Sequence, residues 1–146
     1  MFYFLKSNRD ELKPLSAEAE KEHDSLRLMI SINLQQLIHF YQEIKDERKR
    51  LYDAEYKLEG KVFSAFFEIE MFFELVEGYA HSISQYGKVK NREFAIEELG
   101  HCNIFKNQIF SKWLLSHVDE YPSIFTYIAL VNYLRRQLIE YLSRLR

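Results

Sequence analysis

Residues 63–83 read FSAFFEIEMFFELVEGYAHSI, a run crowded with phenylalanine that nevertheless keeps four glutamates and a histidine. On a helical wheel of about 100° per residue, Val62, Phe66, Ile69, Phe72, Phe73, Val76, Ala80 and Ile83 share one broad apolar face. Glu70, Glu74, Glu77 and His81 gather on a separate narrow stripe, at spacings of four, three and four. Glu68 lies elsewhere, nearer Met71 and Leu75. The stretch therefore predicts a helix with a large buried side.

Upstream, an apolar heptad runs through Ile30, Leu37, Ile44, Leu51 and Leu58, with Leu34, Tyr41, Arg48, Glu55 and Val62 at the complementary positions. The same phase continues through Ala65, Ile69, Phe72, Val76, Tyr79 and Ile83. A 3-4 spacing held this long predicts helices packed along a seam, and an antiparallel bundle uses it as readily as a coiled coil. Gly60 is the expected break between a first helix, about 17–58, and a second, about 61–86. A single kinked helix also fits, because the phase survives the glycine.

Downstream, GKVKN at 87–91 reads as a loop, with Asn91 as the N-cap of a short helix that Gly100 ends. Residues 103–117 form a helix around Trp113. Pro122 then suits the first turn of a last helix, 123–145. These elements predict an all-α, elongated helical bundle with a long N-terminal helix and about four further helices. The whole of 1–146 forms one domain, with 1–14 irregular.

Composition agrees with that class. Of 146 residues, 47% are hydrophobic, and only four glycines and two prolines occur, which suits long helices better than a turn-rich β fold. The formal charge of −2 supplies no global field to attract nucleic acid or anionic lipid. Cys102 is the single cysteine, so no internal disulfide forms and a cytoplasmic location is expected. The apolar start of MFYFLKSNRDE is too short for a signal peptide or a span, as is IFTYIALVNYL at 124–134. Membrane attachment is expected only through a native N-terminal segment outside this sequence.

Two chemistries compete for the glutamate stripe. Carboxylates with a histidine on a bundle helix suit a metal, held by Glu70, Glu74, Glu77 and His81, and Glu-x-x-His pairs recur at Glu20–His23 and Glu98–His101. Alternatively, the acidic helix pairs its charges with the basic last helix, which carries Arg135, Arg136, Arg144 and Arg146. The second reading needs no cofactor, and it is the expected one. The loop cations Lys88, Lys90 and Arg92 are the candidate nucleic-acid contact. Arg48-Lys49-Arg50 is interleaved with acids and reads as a solvated face. No Gly-rich phosphate loop, G-x-S-x-G or H-E-x-x-H occurs, and neighbouring His101 and Cys102 do not face each other on a helix.

Twenty-three aromatic rings exceed what a small bundle core needs. Tyr121, Phe125, Tyr133 and Tyr141 are expected to surface, and Tyr133, Tyr141, Arg135 and Arg136 form the candidate interaction surface. The segment FFEIEMFFELVEGY, followed by a Trp-containing helix and NYLRRQL, resembles a family of uncharacterised bacterial helical domains. The likeness covers about residues 60–140, in helix order and aromatic spacing. It implies a bacterial or phage source and, since some members follow a membrane-spanning helix, tethering in a longer form. No activity or functional residue comes with it. The expected function is a non-catalytic protein-interaction or regulatory module that self-associates through its heptad-bearing helices. The alternative is a bundle that binds a metal or a small apolar ligand.

Overall fold

The computed structural model describes residues 16–102, 104 and 107–144. The expectation for residues 1–14 lies outside them. Among the described residues six helices and one small hairpin follow in order: α1 (Ala17–Glu43), α2 (Lys45–Leu51), β1 (Glu55–Leu58), β2 (Lys61–Ser64), α3 (Ala65–Tyr86), α4 (Arg92–His101), α5 (Gln108–Ser116) and α6 (Pro122–Ser143). The all-α class and the long N-terminal helix are as the sequence predicts.

Local chemistry sets the helix ends. Ser16, Ser64, Asn91 and Asn107 each accept a hydrogen bond from the backbone N–H three residues on, starting α1, α3, α4 and α5. Tyr121, at the N-cap of α6, has no such side-chain bond. Glu47 of α2 reaches across instead, its Oε1 accepting from the Ile124 N–H at 2.7 Å. A carboxylate there also suits the positive end of the helix dipole. Gly87 closes α3 in the left-handed region, with φ 73°. Gly100 does not end α4 as the sequence suggested. It is helical, and Cys102 is the C-cap.

The largest departure lies at 44–64. The first helix does not run to 58: it bends at Ile44, restarts as α2 and stops at Leu51. KLEGKVFS, expected to hold a helix break, is an antiparallel hairpin pairing Tyr56 with Phe63 and Lys57 with Val62. Its two-residue loop, Glu59–Gly60, has φ 52° and 78°, both positive as a type I′ turn requires. Val62 and Glu55 thus sit in strands, and the continuous heptad phase through them is coincidental.

Three long helices make the core. Arg27 and Ser31 of α1 meet Ser84 of α3, while Tyr41 stacks on Phe73, so α1 and α3 run antiparallel. His23 stacks on Tyr141 at 3.9 Å and Tyr41 meets Tyr127, so α1 is also antiparallel to α6. Ile30, Leu34, Leu37 and Ile44, the predicted seam, are buried inside this chain with Ile69, Val76, Ile83, Val131 and Leu138. That seam is therefore not available to a second copy. The short α4 lies against α6 and α3, and Phe110 of α5 packs on Tyr56 of the hairpin. No described helix is long and apolar enough to cross a membrane.

Candidate functional site

Two of the glutamates of α3 answer to tyrosines. Glu70 accepts a hydrogen bond from the Tyr41 hydroxyl of α1, and Glu68 accepts from Tyr56 of β1 at 2.5 Å. The same pairing recurs where Glu98 of α4 accepts from Tyr79 of α3. Each hydroxyl is drawn from a largely apolar ring that packs near the core, and a phenol there needs an acceptor. Burial first, and the partner carboxylate second, push the Tyr56 and Tyr79 hydroxyls up to about 12. The same causes, in the same order, raise Tyr41 further.

Around Tyr41 the packing is dense. The Arg48 guanidinium lies 3.9 Å from the ring centroid and donates from Nε to the Tyr41 carbonyl at 2.9 Å. Tyr127 is fully buried beside Tyr41 and Phe73, and its hydroxyl has no hydrogen-bond partner among the described residues. Burial holds that hydroxyl far above the ordinary tyrosine range.

The rest of the stripe divides by side. Glu70 and Glu77 are half-buried, whereas Glu74 and His81 are exposed. Burial raises the Glu77 carboxyl, His81 opposes this, and the neighbouring Glu74 and Glu70 add to it. Among the described residues no three His, Cys, Asp or Glu side chains come together as a metal would require. The expected pairing of these acids with the arginines of α6 is not seen among the described residues either. Arg144 pairs with Glu140 of its own helix at 2.6 Å.

Arg135 and Tyr141, placed on an interaction surface from the sequence, are buried, and so is Tyr121. Arg135 donates to the Leu99 carbonyl at 2.7 Å, capping the end of α4, and to the Asn132 side chain at 3.0 Å. Burial lowers its pKa. The Tyr141 hydroxyl donates to the Gly87 carbonyl at 2.9 Å. Tyr133 and Arg136 remain exposed. In the loop before α4, Lys88 and Lys90 are exposed, while Arg92 turns inward to the Leu142 carbonyl at the end of α6.

Two surface features were not foreseen. Ser25–Gln42, eighteen residues of α1, contains one Asp, Glu, Lys or Arg: Arg27. Its guanidinium turns inward to the Ile83 and Ser84 carbonyls. The outer face of this stretch therefore carries no Asp, Glu, Lys or Arg side chain, yet Leu28 is 62% exposed and Ile32 41%. Met29 on the same helix, and Leu130 and Tyr133 on α6, are also exposed. Asn33 of α1 and Gln137 of α6 hydrogen-bond at 2.7 Å between the two helices. Second, a cleft of about 600 Å³ opens between α3 and the end of α4, with Phe72, Leu75 and Ile104 in its wall. The low charge along α1 could have been read from the sequence. The cleft could not, since it depends on how α4 docks.

Comparison with known proteins gives no match to a family model, a curated protein or a solved structure.

Proposed function

We propose that this chain is a non-catalytic helical interaction module, and that a second copy of itself is the partner met by the outer face of α1. The observation that carries the reading is the uncharged, partly aliphatic surface of Ser25–Gln42, flanked by Leu130 and Tyr133 on α6. A solvated helix face ordinarily carries charge, as the α3 stripe does. A face without charge can meet its own copy about a two-fold axis without like-charge repulsion. Leu28, Ile32 and Met29 supply apolar area to bury, and Gln35, Gln36 and Tyr133 supply hydrogen bonds at the rim.

This differs from association through the heptad seam, which is occupied inside the chain. Tyr133 stays in the proposed surface, whereas Arg135 and Tyr141 are buried and leave it; the exposed, charged Arg136 is not part of the uncharged face. Sedimentation equilibrium tests the reading. The wild-type chain is expected to self-associate, and Leu28→Glu combined with Ile32→Glu to give a monomer with an unchanged helical spectrum. A wild-type chain that stays monomeric at its highest soluble concentration overturns self-association.

A further inference from the structure

The cleft between α3 and α4 is a different surface, and its chemistry is specific. The floor is apolar: Phe72 and Ile104 are nearly buried, with Leu75 half-buried beside them and Met71 at the mouth. Its charged rim is acidic, with Glu68 and Glu74 from α3 and Glu98 from α4. No described Lys or Arg lines it. His101 and Cys102 complete the α4 side, where the negative end of the helix dipole adds to the field of the carboxylates. Arg135 lies behind that helix end, bonded to Leu99, and is not part of the lining. Asn107 lines the cleft near α5, and its side-chain oxygen is engaged by the Phe110 N–H.

Two of the three carboxylates are held in place. Tyr56, from the hairpin, fixes Glu68, and Tyr79 fixes Glu98 on α4. Each carboxylate has further lone pairs beyond the one its tyrosine engages. An acceptor oriented before a ligand arrives loses less freedom on binding than a mobile surface glutamate. The volume lies within the range of small-molecule sites, roughly 300–1,000 Å³.

From this charge complementarity we infer that the cleft binds a small organic cation with an apolar body, an alkyl- or arylammonium compound. The ammonium sits at the acidic rim, on the α3–α4 side where Glu74 and Glu98 stand, and the hydrocarbon lies on Phe72, Leu75 and Ile104. The site is independent of the α1 face proposed for self-association.

Three probes with the same chain separate charge from apolar contact: hexylammonium, hexanol and hexanoate. Each is titrated into the full chain carrying 13C-methyl methionine. Met71 lines the cleft and Met29 lies on the outer face of α1, so the two methyl signals tell the sites apart. Hexylammonium is expected to shift Met71 saturably and leave Met29 unmoved, with hexanol at least tenfold weaker and hexanoate without effect. Glu74→Gln with Glu98→Gln keeps the side-chain shapes and an acceptor for Tyr79, and is expected to weaken hexylammonium at least tenfold. Equal binding of hexanoate, an unchanged affinity in the double variant, or no saturable shift of Met71 would each overturn the inference.

Discussion

At the scale of single residues, phenol chemistry accounts for two of the four glutamates of α3, Glu68 and Glu70. A wheel projection correctly separates Glu70, Glu74, Glu77 and His81 from the apolar face, but it does not show what stands opposite. Arginines were the natural partners from charge alone. The structure supplies Tyr41 to Glu70, and Tyr56 to the more distant Glu68. A hint was present in the ten tyrosines, since ten phenols in a small bundle cannot all reach water. Tyr127 is the exception that makes a prediction. Its hydroxyl is buried without a partner among the described residues, so Tyr127→Phe removes a desolvated polar group and loses no bond seen there. The variant is expected to be as stable as wild type or up to about 1 kcal/mol more stable in urea unfolding. A loss of more than that would mean that the hydroxyl has a partner in solution.

Among the elements, the sequence was legible where caps and long apolar faces act locally, and misleading where they did not. Asn91 and Pro122 mark real helix starts, and α3 ends at Gly87 as expected. The hairpin escaped because Leu51, Leu58 and Val62 happen to keep the heptad phase across it. A period-two reading of EYKL and KVFS about Glu59–Gly60 was the competing signal. The two left-handed glycines should respond differently to alanine. At Gly60 a Cβ meets nothing within 4 Å, so Gly60→Ala carries only the backbone strain of positive φ, about 1 kcal/mol. At Gly87 the Cβ would stand 3.0 Å from Arg27 Nη1, on a guanidinium already tied to the Ile83 and Ser84 carbonyls. Gly87→Ala is therefore expected to cost more than Gly60→Ala, about 2 kcal/mol by chemical denaturation.

For the molecule as a whole, tyrosine–carboxylate pairs link the hairpin to α3, α1 to α3, and α3 to α4, and this couples stability to alkaline pH. The Tyr56 and Tyr79 hydroxyls are raised in the folded chain from the ordinary 10.0 to about 12. In that window the unfolded chain has lost protons that the folded chain retains, so stability falls as pH climbs from 10 towards 12. Below pH 10 both states are protonated at these groups and their contribution is intact. Urea midpoints measured across this range are expected to decline, and the decline to be shallower in Tyr56→Phe with Tyr79→Phe. The acidic end needs no such pairing to be legible, but the alkaline sensitivity was hidden until the partners of the carboxylates were known.

The placement of α1 between α3 and α6 also sets an order of events during synthesis. Asn33 and Gln137, which hydrogen-bond between α1 and α6, are 104 positions apart. Emerging from the ribosome, α1 can lay part of its seam on α3, yet Leu34, Leu37 and their neighbours lack the surface of α6 until the last helix is released. The nascent chain thus keeps part of the α1 seam uncovered until α6 follows. Full burial is reached only after α6 has been made, and cellular holdases have that interval in which to engage it.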